Sequence, residues 1–576
     1  MKNSTNYTAV ALLTIALTIA MALTDASAQI NPYQYSISKT AEGKKGAVSS
    51  AHPLASLVGI EILKQGGNAF DAAIATQLAL AVVYPGAGNI GGGGFLVAHT
   101  QKGKTITIDY REKAPAASSR NMYLDQQGNP QLELSQNGHL ASGVPGTVAG
   151  LFTSHQYAKL SFDKLIQPAI ELAEKGFVLT AAEARSLNGS KSAFLKYNTV
   201  APVFVKSIAW KEGDTLIQKD LAATLKRIQV QGAKGFYEGE TARLIVEEMK
   251  RGRGNISLED LKNYQAIERP AVSFDYKGYT IIGMPMPSSG GLLMQQMMKM
   301  IENRNIAALG FHTPASVQLM IEVERRAYAD RAEFMGDQDF VRVPVKTLSS
   351  KKYLEKRMEN FIAGKATPSD VIKPGDVNPE SEETTHLSVA DEAGNVVSVT
   401  TTLNGGYGSK TVVAGAGFLL NNEMDDFSVK PGVPNMFGAI GKEANAIAPG
   451  KRMLSSMTPT VVLKNKKPYL VVGTPGGTTI PTSVFQTLVN MLEFNQSPLE
   501  AVNNPKFHHQ WLPDHVAIEN DFPSSIQNAL SNMGYSFQKR NQIGRTEVIK
   551  INWEGKKIKN IEAVADKRGD DHAAAY

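Results

Sequence analysis

An α+β fold follows from three features of this 576-residue sequence: helix-like segments fill much of its first two thirds, short β-rich runs fill its last third, and 42% of its residues are hydrophobic. A chain of that length and composition can bury a large core. Length alone suggests two to four domains, although large layered folds exceed that prior. There is no cysteine, which excludes disulfides, thiolate nucleophiles and cysteine-ligated metal, so stability rests on packing. The formal charge of +6 is spread over the whole chain. Its short lysine clusters, Lys464, Lys466 and Lys467 or Lys556, Lys557 and Lys559, read as solvated turns, and no nucleic-acid partner is expected.

The elements are taken in chain order. Met1 and Lys2, the apolar stretch 9–23 and Ala26-Ser27-Ala28 fit a signal peptide over 1–28, with a mature start at Gln29 and export to the periplasm or beyond. The apolar stretch is shorter than the roughly 20 residues that span a bilayer. A helix is predicted over 54–63, stopped at Lys64-Gln65-Gly66-Gly67-Asn68, and a buried, alanine-rich helix over 71–83. Gly86, Gly88 and Gly91 match G-x-G-x-x-G, but that fingerprint needs a strand before and a helix after. Here a helix precedes and Phe95-Leu96-Val97-Ala98 reads as a strand, so the glycines read as tight packing. The middle of the chain, 142–373, carries helices at 243–250 and 292–302, and Met294, Met297, Met298 and Met300 form a pliable apolar face. The polar, proline-containing stretch 349–383 reads as an exposed linker, where a chain can be cut and its ends can separate. Beyond it, 385–389 and 396–403 form a hairpin, with further strands at 418–420, 460–463 and 469–472 and a helix over 482–494.

Thr384 opens the first strand of that hairpin, within Glu382-Glu383-Thr384-Thr385-His386-Leu387-Ser388-Val389. Cleavage between Glu383 and Thr384 would make Thr384 a chain start, whose α-amine, with a pKa of about 8, can take the hydroxyl's proton. One residue then supplies both nucleophile and base. A Thr-Thr pair alone is equally the composition of an ordinary strand.

The flanking motifs decide between these readings. They are Thr400-Thr401-Thr402-Leu403-Asn404, Asn421-Asn422-Glu423-Met424-Asp425-Asp426-Phe427, Leu454-Ser455-Ser456-Met457-Thr458-Pro459, Gly473-Thr474-Pro475-Gly476-Gly477 and Phe507-His508-His509-Gln510-Trp511, preceded by Gly66-Gly67-Asn68-Ala69-Phe70-Asp71 and Asp109-Tyr110-Arg111-Glu112-Lys113. In this order they resemble the γ-glutamyltransferase (γ-glutamyl transpeptidase, glutathione hydrolase) family of the N-terminal nucleophile hydrolase superfamily, over nearly the whole mature chain. The resemblance implies a four-layer αββα sandwich built jointly by a large subunit, 29–383, and a small subunit, 384–576, from one self-cleaved precursor. It implies no metal and no other cofactor. Its partners would be glutathione and other γ-glutamyl donors, with water, amino acids or peptides as acceptors of the acyl group.

A glutamyl group presents an α-carboxylate, an α-ammonium and a reacting γ-carbonyl. A guanidinium and hydroxyls suit the first, and the resemblance gives that role to Arg111, Ser455 and Ser456. Asp426, Glu423 and Asn404 would hold the ammonium, Asp426 as an unpaired carboxylate. Gly476 and Gly477, at a strand-to-helix junction, would form the oxyanion hole; a Walker A loop is excluded there by the missing lysine. Thr402 would hydrogen-bond Thr384. His508 and His509 point to opposite faces of a strand and read as structural. Two departures stand out: Glu423 replaces the glutamine of some bacterial members, and Phe437, in the lid-like run Pro431-Gly432-Val433-Pro434-Asn435-Met436-Phe437, replaces a tyrosine. A cephalosporin acylase of related fold and a non-catalytic binding protein for glutamyl peptides are the alternatives.

Overall fold

Two seven-stranded sheets, in which every pairing is antiparallel, organise the chain. The computed structural model describes residues 30–372 and 384–576. The predicted leader, Gln29 and Glu383 lie outside the described residues. The first sheet runs Thr40–Gly43, Lys557–Val564, Glu547–Glu554, Lys467–Gly473, Thr460–Lys464, Tyr279–Gly283, Val272–Tyr276. The second runs His572–Ala575, Gly46–Ser50, Thr385–Asp391, Val396–Thr402, Gly93–His99, Thr105–Asp109, Ile267–Glu268.

Alternation along each strand assigns its residues to two different cores. Phe95 and Val97 of the second sheet join Ile282, Val461, Val471 and Ile549 of the first in one apolar cluster between the sheets. Leu96 and Ala98 face the opposite way, onto the helices Pro53–Lys64 and Ala69–Val83. On the first sheet Val462, Leu470 and Val472 back onto the helices Gly290–Ile301, Pro314–Phe334 and Ile480–Leu492. Both faces of each central strand are buried, including the Thr, Ser and His side chains of Thr385–Asp391 and Val396–Thr402. Each fully buried Val, Leu, Ile or Phe side chain contributes roughly 1.5–3 kcal/mol.

The helix starts follow from local chemistry. Asn68 caps Ala69–Val83 by accepting from the Phe70 and Asp71 N–H groups while Asp71 accepts from the Asn68 N–H, a reciprocal capping box. All fifteen residues of that helix are buried, and its alanines let it lie close to the second sheet. The glycine loop after it leads into the strand Gly93–His99, and the methionine face of Gly290–Ile301 is buried in the core behind the first sheet. Among the described residues no helix is long and apolar enough to cross a membrane.

Two expectations need correction. Residues 418–420 form no strand: Leu419 makes only an isolated bridge to Val412, and the apolar side chains of Phe418, Leu419 and Leu420 are buried in the core instead. The described part of the polar stretch, up to 372, is docked rather than free. It contains the helix Lys351–Arg357, buries Leu354 and Met358, and pairs Arg357 with Asp330 at 3.1 Å. The hairpin forms with Thr385 opposite Thr401 and Ala390 opposite Val396.

His386 joins the two sheets. Its ring lies over Gly473, where a Cβ would stand 2.2 Å from it, and hydrogen-bonds the hydroxyls of Thr400 (2.9 Å) and Ser388 (3.1 Å). Burial pushes its pKa down to about 3. Since the unfolded value is about 6.5, the unfolded chain takes up the proton first; this contribution to stability is whole above about pH 6.5 and is lost as pH falls toward 3. The slope is at most about 1.4 kcal/mol per pH unit. Between pH 6.5 and 4.5 the Tm of the native protein should therefore fall more steeply than that of His386→Asn; parallel Tm curves would refute the assignment.

Candidate active site

Extending the hairpin register by one position sets Thr384 opposite Thr402. Both line a cavity together with Arg111, Asn404, Asp426, Phe437, Ser455, Ser456 and Gly477. Thr384 is 5% exposed. Among the described residues no hydrogen bond joins Thr384 to Thr402; the Thr402 hydroxyl instead accepts from the Asn404 N–H at 2.7 Å. That contact holds Asn404 in a left-handed conformation, φ +77°, which asparagine tolerates better than most residues. The Asn404 side chain donates to the Asn422 carbonyl at 3.0 Å.

Arg111 stands at the centre of a buried carboxylate cluster. Its guanidinium contacts Glu423 at 2.5 Å, Glu112 at 3.6 Å and, closer still, Asp426. Asp426 is therefore not the unpaired carboxylate expected from sequence: one oxygen accepts from Arg111 and the other from Asn435 Nδ2 at 2.9 Å. Glu423 is fully buried against Arg111 and does not line the cavity. Burial opposes the arginine's charge, but Glu423, Asp426 and Glu112 outweigh it and raise its pKa. Burial likewise raises Glu423 and Asp426 against the pull of Arg111, and pushes Glu112 up to about 8. Three carboxylates around one guanidinium cannot all carry charge cheaply, so the cluster retains protons at neutral pH.

The serine pair lies in extended chain rather than at a helix start. Ser455 donates its N–H to the Pro287 carbonyl at 2.8 Å, and its carbonyl accepts from the Ser289 N–H at 2.8 Å. The Ser455 hydroxyl accepts from the Met457 N–H at 3.1 Å, and that of Ser456 from Arg331 at 2.9 Å.

Gly476 and Gly477 follow the strand Lys467–Gly473 and lead through a short 3-10 turn into Ile480–Leu492. Gly477 has φ +50°, and a Cβ there would meet the Phe437 ring at 2.6 Å, so both its backbone angle and the ring above it require glycine. Gly476 does not itself line the cavity. Asn435 shapes the Phe437 loop by accepting from the N–H groups of Phe437 and Ala439, each at 3.0 Å. With Phe437 seated, the cavity encloses about 20 Å³, space for a water and not for a glutamyl group. His508 and His509 are buried among hydrogen bonds, to Thr482 and Gln510 for the first and from the Trp511 N–H for the second.

Among the cavity residues that a reading of the sequence does not assign to the site, two stand out. Asn435 links the loop to Asp426, and Arg331 projects from a helix whose Glu322, Glu324, Arg325, Arg326 and Asp330 are also buried. Nothing in the sequence of that 21-residue helix tells which of its charges are buried, since a helix without an apolar stripe is equally compatible with solvent exposure.

The Gamma-glutamyltranspeptidase family model matches residues 55–576. The chain is similar to the glutathione hydrolase proenzyme of Escherichia coli (strain K12), 44% identical over 542 residues and 92% of each chain. It is also similar to the crystal structure of a cephalosporin acylase from Bacillus halodurans, with a TM-score of 0.81 and 26% identity over 96% of this chain and 99% of that one. The crystal structure of Helicobacter pylori gamma-glutamyltranspeptidase is 46% identical, with a TM-score of 0.56 over 57% of this chain and 94% of that one.

Proposed function

The chain belongs to the gamma-glutamyltranspeptidase family and is an enzyme of the glutathione hydrolase type, and from that premise we propose how its own residues carry the reaction. The observation that carries the reading is that Thr384, at a strand start, shares one cavity with the guanidinium of Arg111 and the carboxylate of Asp426, which are paired with each other. Thr384 first attacks the Glu383 carbonyl; transfer of the acyl group from nitrogen to oxygen forms an ester and frees the α-amine, and water then hydrolyses the ester to the Glu383 carboxylate and the Thr384 hydroxyl. That amine then takes the Thr384 hydroxyl proton as the oxygen attacks the γ-carbonyl of glutathione or a related donor. Gly476 and Gly477 stabilise the oxyanion, and the leaving amine departs protonated. The acyl group on Thr384 passes to water, an amino acid or a peptide.

Substrate binding must part Arg111 from Asp426. The donor's α-carboxylate takes Asp426's place on Arg111 and reaches Ser455 and Ser456. Its α-ammonium takes Arg111's place on Asp426 and reaches Asn404 Oδ1. Exchanging one ion pair for two keeps every buried charge partnered, the condition under which buried ions are tolerated. Glu423 supports the arginine from behind, and Phe437 moves aside to admit the donor.

The same reading takes 1–28 as an export leader and 29–383 and 384–576 as the two subunits of a heterodimer. Three apolar cores, one between the sheets and one outside each, support a four-layer αββα arrangement. The similarity in fold to a cephalosporin acylase favours that activity as the second reading. A glutaryl side chain has no α-amine, however, and would leave Asp426 without its ligand.

Purified protein run on a denaturing gel should give two chains, the smaller beginning Thr-Thr-His-Leu-Ser, and should release chromophore from a γ-glutamyl anilide. An intact but active single chain would overturn the mechanism, and an intact, inactive one that still binds glutamyl peptides would support a binding protein. Arg111→Lys keeps the charge but loses the planar fork that spans Glu423 and Asp426. It should still be cleaved, with KM for γ-glutamyl donors raised at least tenfold; unchanged kinetics would remove Arg111 from the site.

A further inference from the structure

Arg331 is a buried cation with no carboxylate within 4 Å among the described residues. Its Nη2 donates to Ser456 Oγ at 2.9 Å and its Nε to Ser289 Oγ at 3.1 Å, both neutral hydroxyls. Burial lowers its pKa and Arg111 adds to that, while Tyr328 and, from farther away, Asp426 pull the other way. Other buried arginines of the same helix are differently placed: Arg325 pairs with Asp514 and Arg326 with Glu322. Arg111, the other arginine lining the cavity, is held by Asp426 and Glu423.

The hydroxyls next to Arg331 show where a counter-ion fits. A serine hydroxyl has one proton to donate and two lone pairs to accept with. Ser289 accepts from Arg331 and donates to the Ser455 carbonyl at 2.7 Å, so it is satisfied in both directions and pins the serine loop to the arginine. Ser456 accepts from Arg331, and Ser455 accepts from the Met457 N–H. Neither of these two has an acceptor for its own proton among the described residues. Donors occupy the protein side of both oxygens, so both protons are directed to the cavity that Ser455 and Ser456 line. Two O–H donors beside an unbalanced guanidinium make an anion site.

We propose that Arg331 is a positioning residue for the donor's α-carboxylate: it fixes the Ser456 hydroxyl as a donor, anchors the Ser455 backbone through Ser289 and supplies the charge the carboxylate neutralises, a role that rests on the γ-glutamyl reading above. Arg111 must exchange a partner when the donor arrives, whereas Arg331 gains one.

The test uses the cleaved enzyme with a γ-glutamyl anilide and with the γ-aminobutyryl anilide, which lacks only the α-carboxylate. Arg331→Lys should raise KM for the first about 10- to 100-fold, the range for a hydrogen bond to a charged group, and leave kcat within about threefold. It should weaken inhibition by L-glutamate equally and change inhibition by γ-aminobutyrate less than twofold. In a Ser456→Ala background the same substitution should add less than about threefold, because the two residues act as a unit. Equal losses with and without the α-carboxylate, or losses that simply multiply with Ser456→Ala, would overturn the proposal and leave Arg331 a packing residue. If Arg331→Lys is not cleaved, Ser289→Ala removes one anchor of the guanidinium. It should raise KM about threefold at constant kcat, and an unchanged KM there is equally fatal. Native enzyme that fails to turn over the γ-glutamyl anilide would defeat the underlying reading instead, which separates the two failures.

Discussion

Thr384→Ala protein should remain a single chain and hydrolyse γ-glutamyl anilides at no measurable rate. The argument is one of chemical inventory. Thr384 is the one hydroxyl residue that opens the strand directly after the cut, and only its own backbone can yield an α-amine there. Thr402 lies opposite it across the hairpin, but in mid-chain, with its oxygen already accepting from the Asn404 N–H. The loss should exceed 10⁴-fold, the scale seen when a nucleophile is removed and only binding and the oxyanion donors remain. Thr384→Ser should instead be cleaved slowly and retain activity. A cleaved, active Thr384→Ala enzyme, found by gel and by anilide assay, would end the nucleophile assignment.

Asp426→Ala should be cleaved normally, since the proposed maturation would use only the chain's own Glu383–Thr384 bond, yet lose heavily on donors. Truncating one partner of a buried charged hydrogen bond costs about 2–5 kcal/mol, so kcat/KM for γ-glutamyl donors should fall roughly 30-fold to several thousand-fold. A glutaryl anilide, with no α-amine, should lose far less. Asp426 also holds Asn435 and through it the Phe437 loop, so some loss on both donors would come from a loosened lid. Asp426→Asn separates the effects: it can still accept from Asn435 but has lost its charge. If Asp426→Asn behaves as the native enzyme while Asp426→Ala is impaired equally on both donors, the residue serves the loop and not the ammonium, and the acylase reading gains.

Local pattern carried much of this structure in plain view. The hairpin at Thr384, the helices Pro53–Lys64 and Ala69–Val83 and the strand-to-helix junction at Gly476 are all readable because their signals, alternation, capping and glycine stops, lie within a few residues of one another. Residues 418–420 misled because a short apolar run looks alike whether it pairs in a ladder or fills a core. The ion pair of Arg111 with Asp426 was illegible for a different reason: its members are 315 residues apart, and residue type names the charge without naming its partner. Arg331 was hidden by the opposite error, since a helix crowded with charge resembles a solvated one until its burial is known.

The second sheet places the strands Thr385–Asp391 and Val396–Thr402 between Gly46–Ser50 and Gly93–His99. A cut at Thr384 therefore severs the thread but not the weave. Each product would hold some of the strands of both sheets, and neither would own a complete sheet. The instructions for assembling the rows exist while the thread is whole, when the two halves search for each other at the concentration their tether imposes. Once cut and then unfolded, they must find each other as strangers, with bare strand edges free to pair wrongly. The working form would thus be kept by the slowness of its unfolding rather than by any balance with its parts.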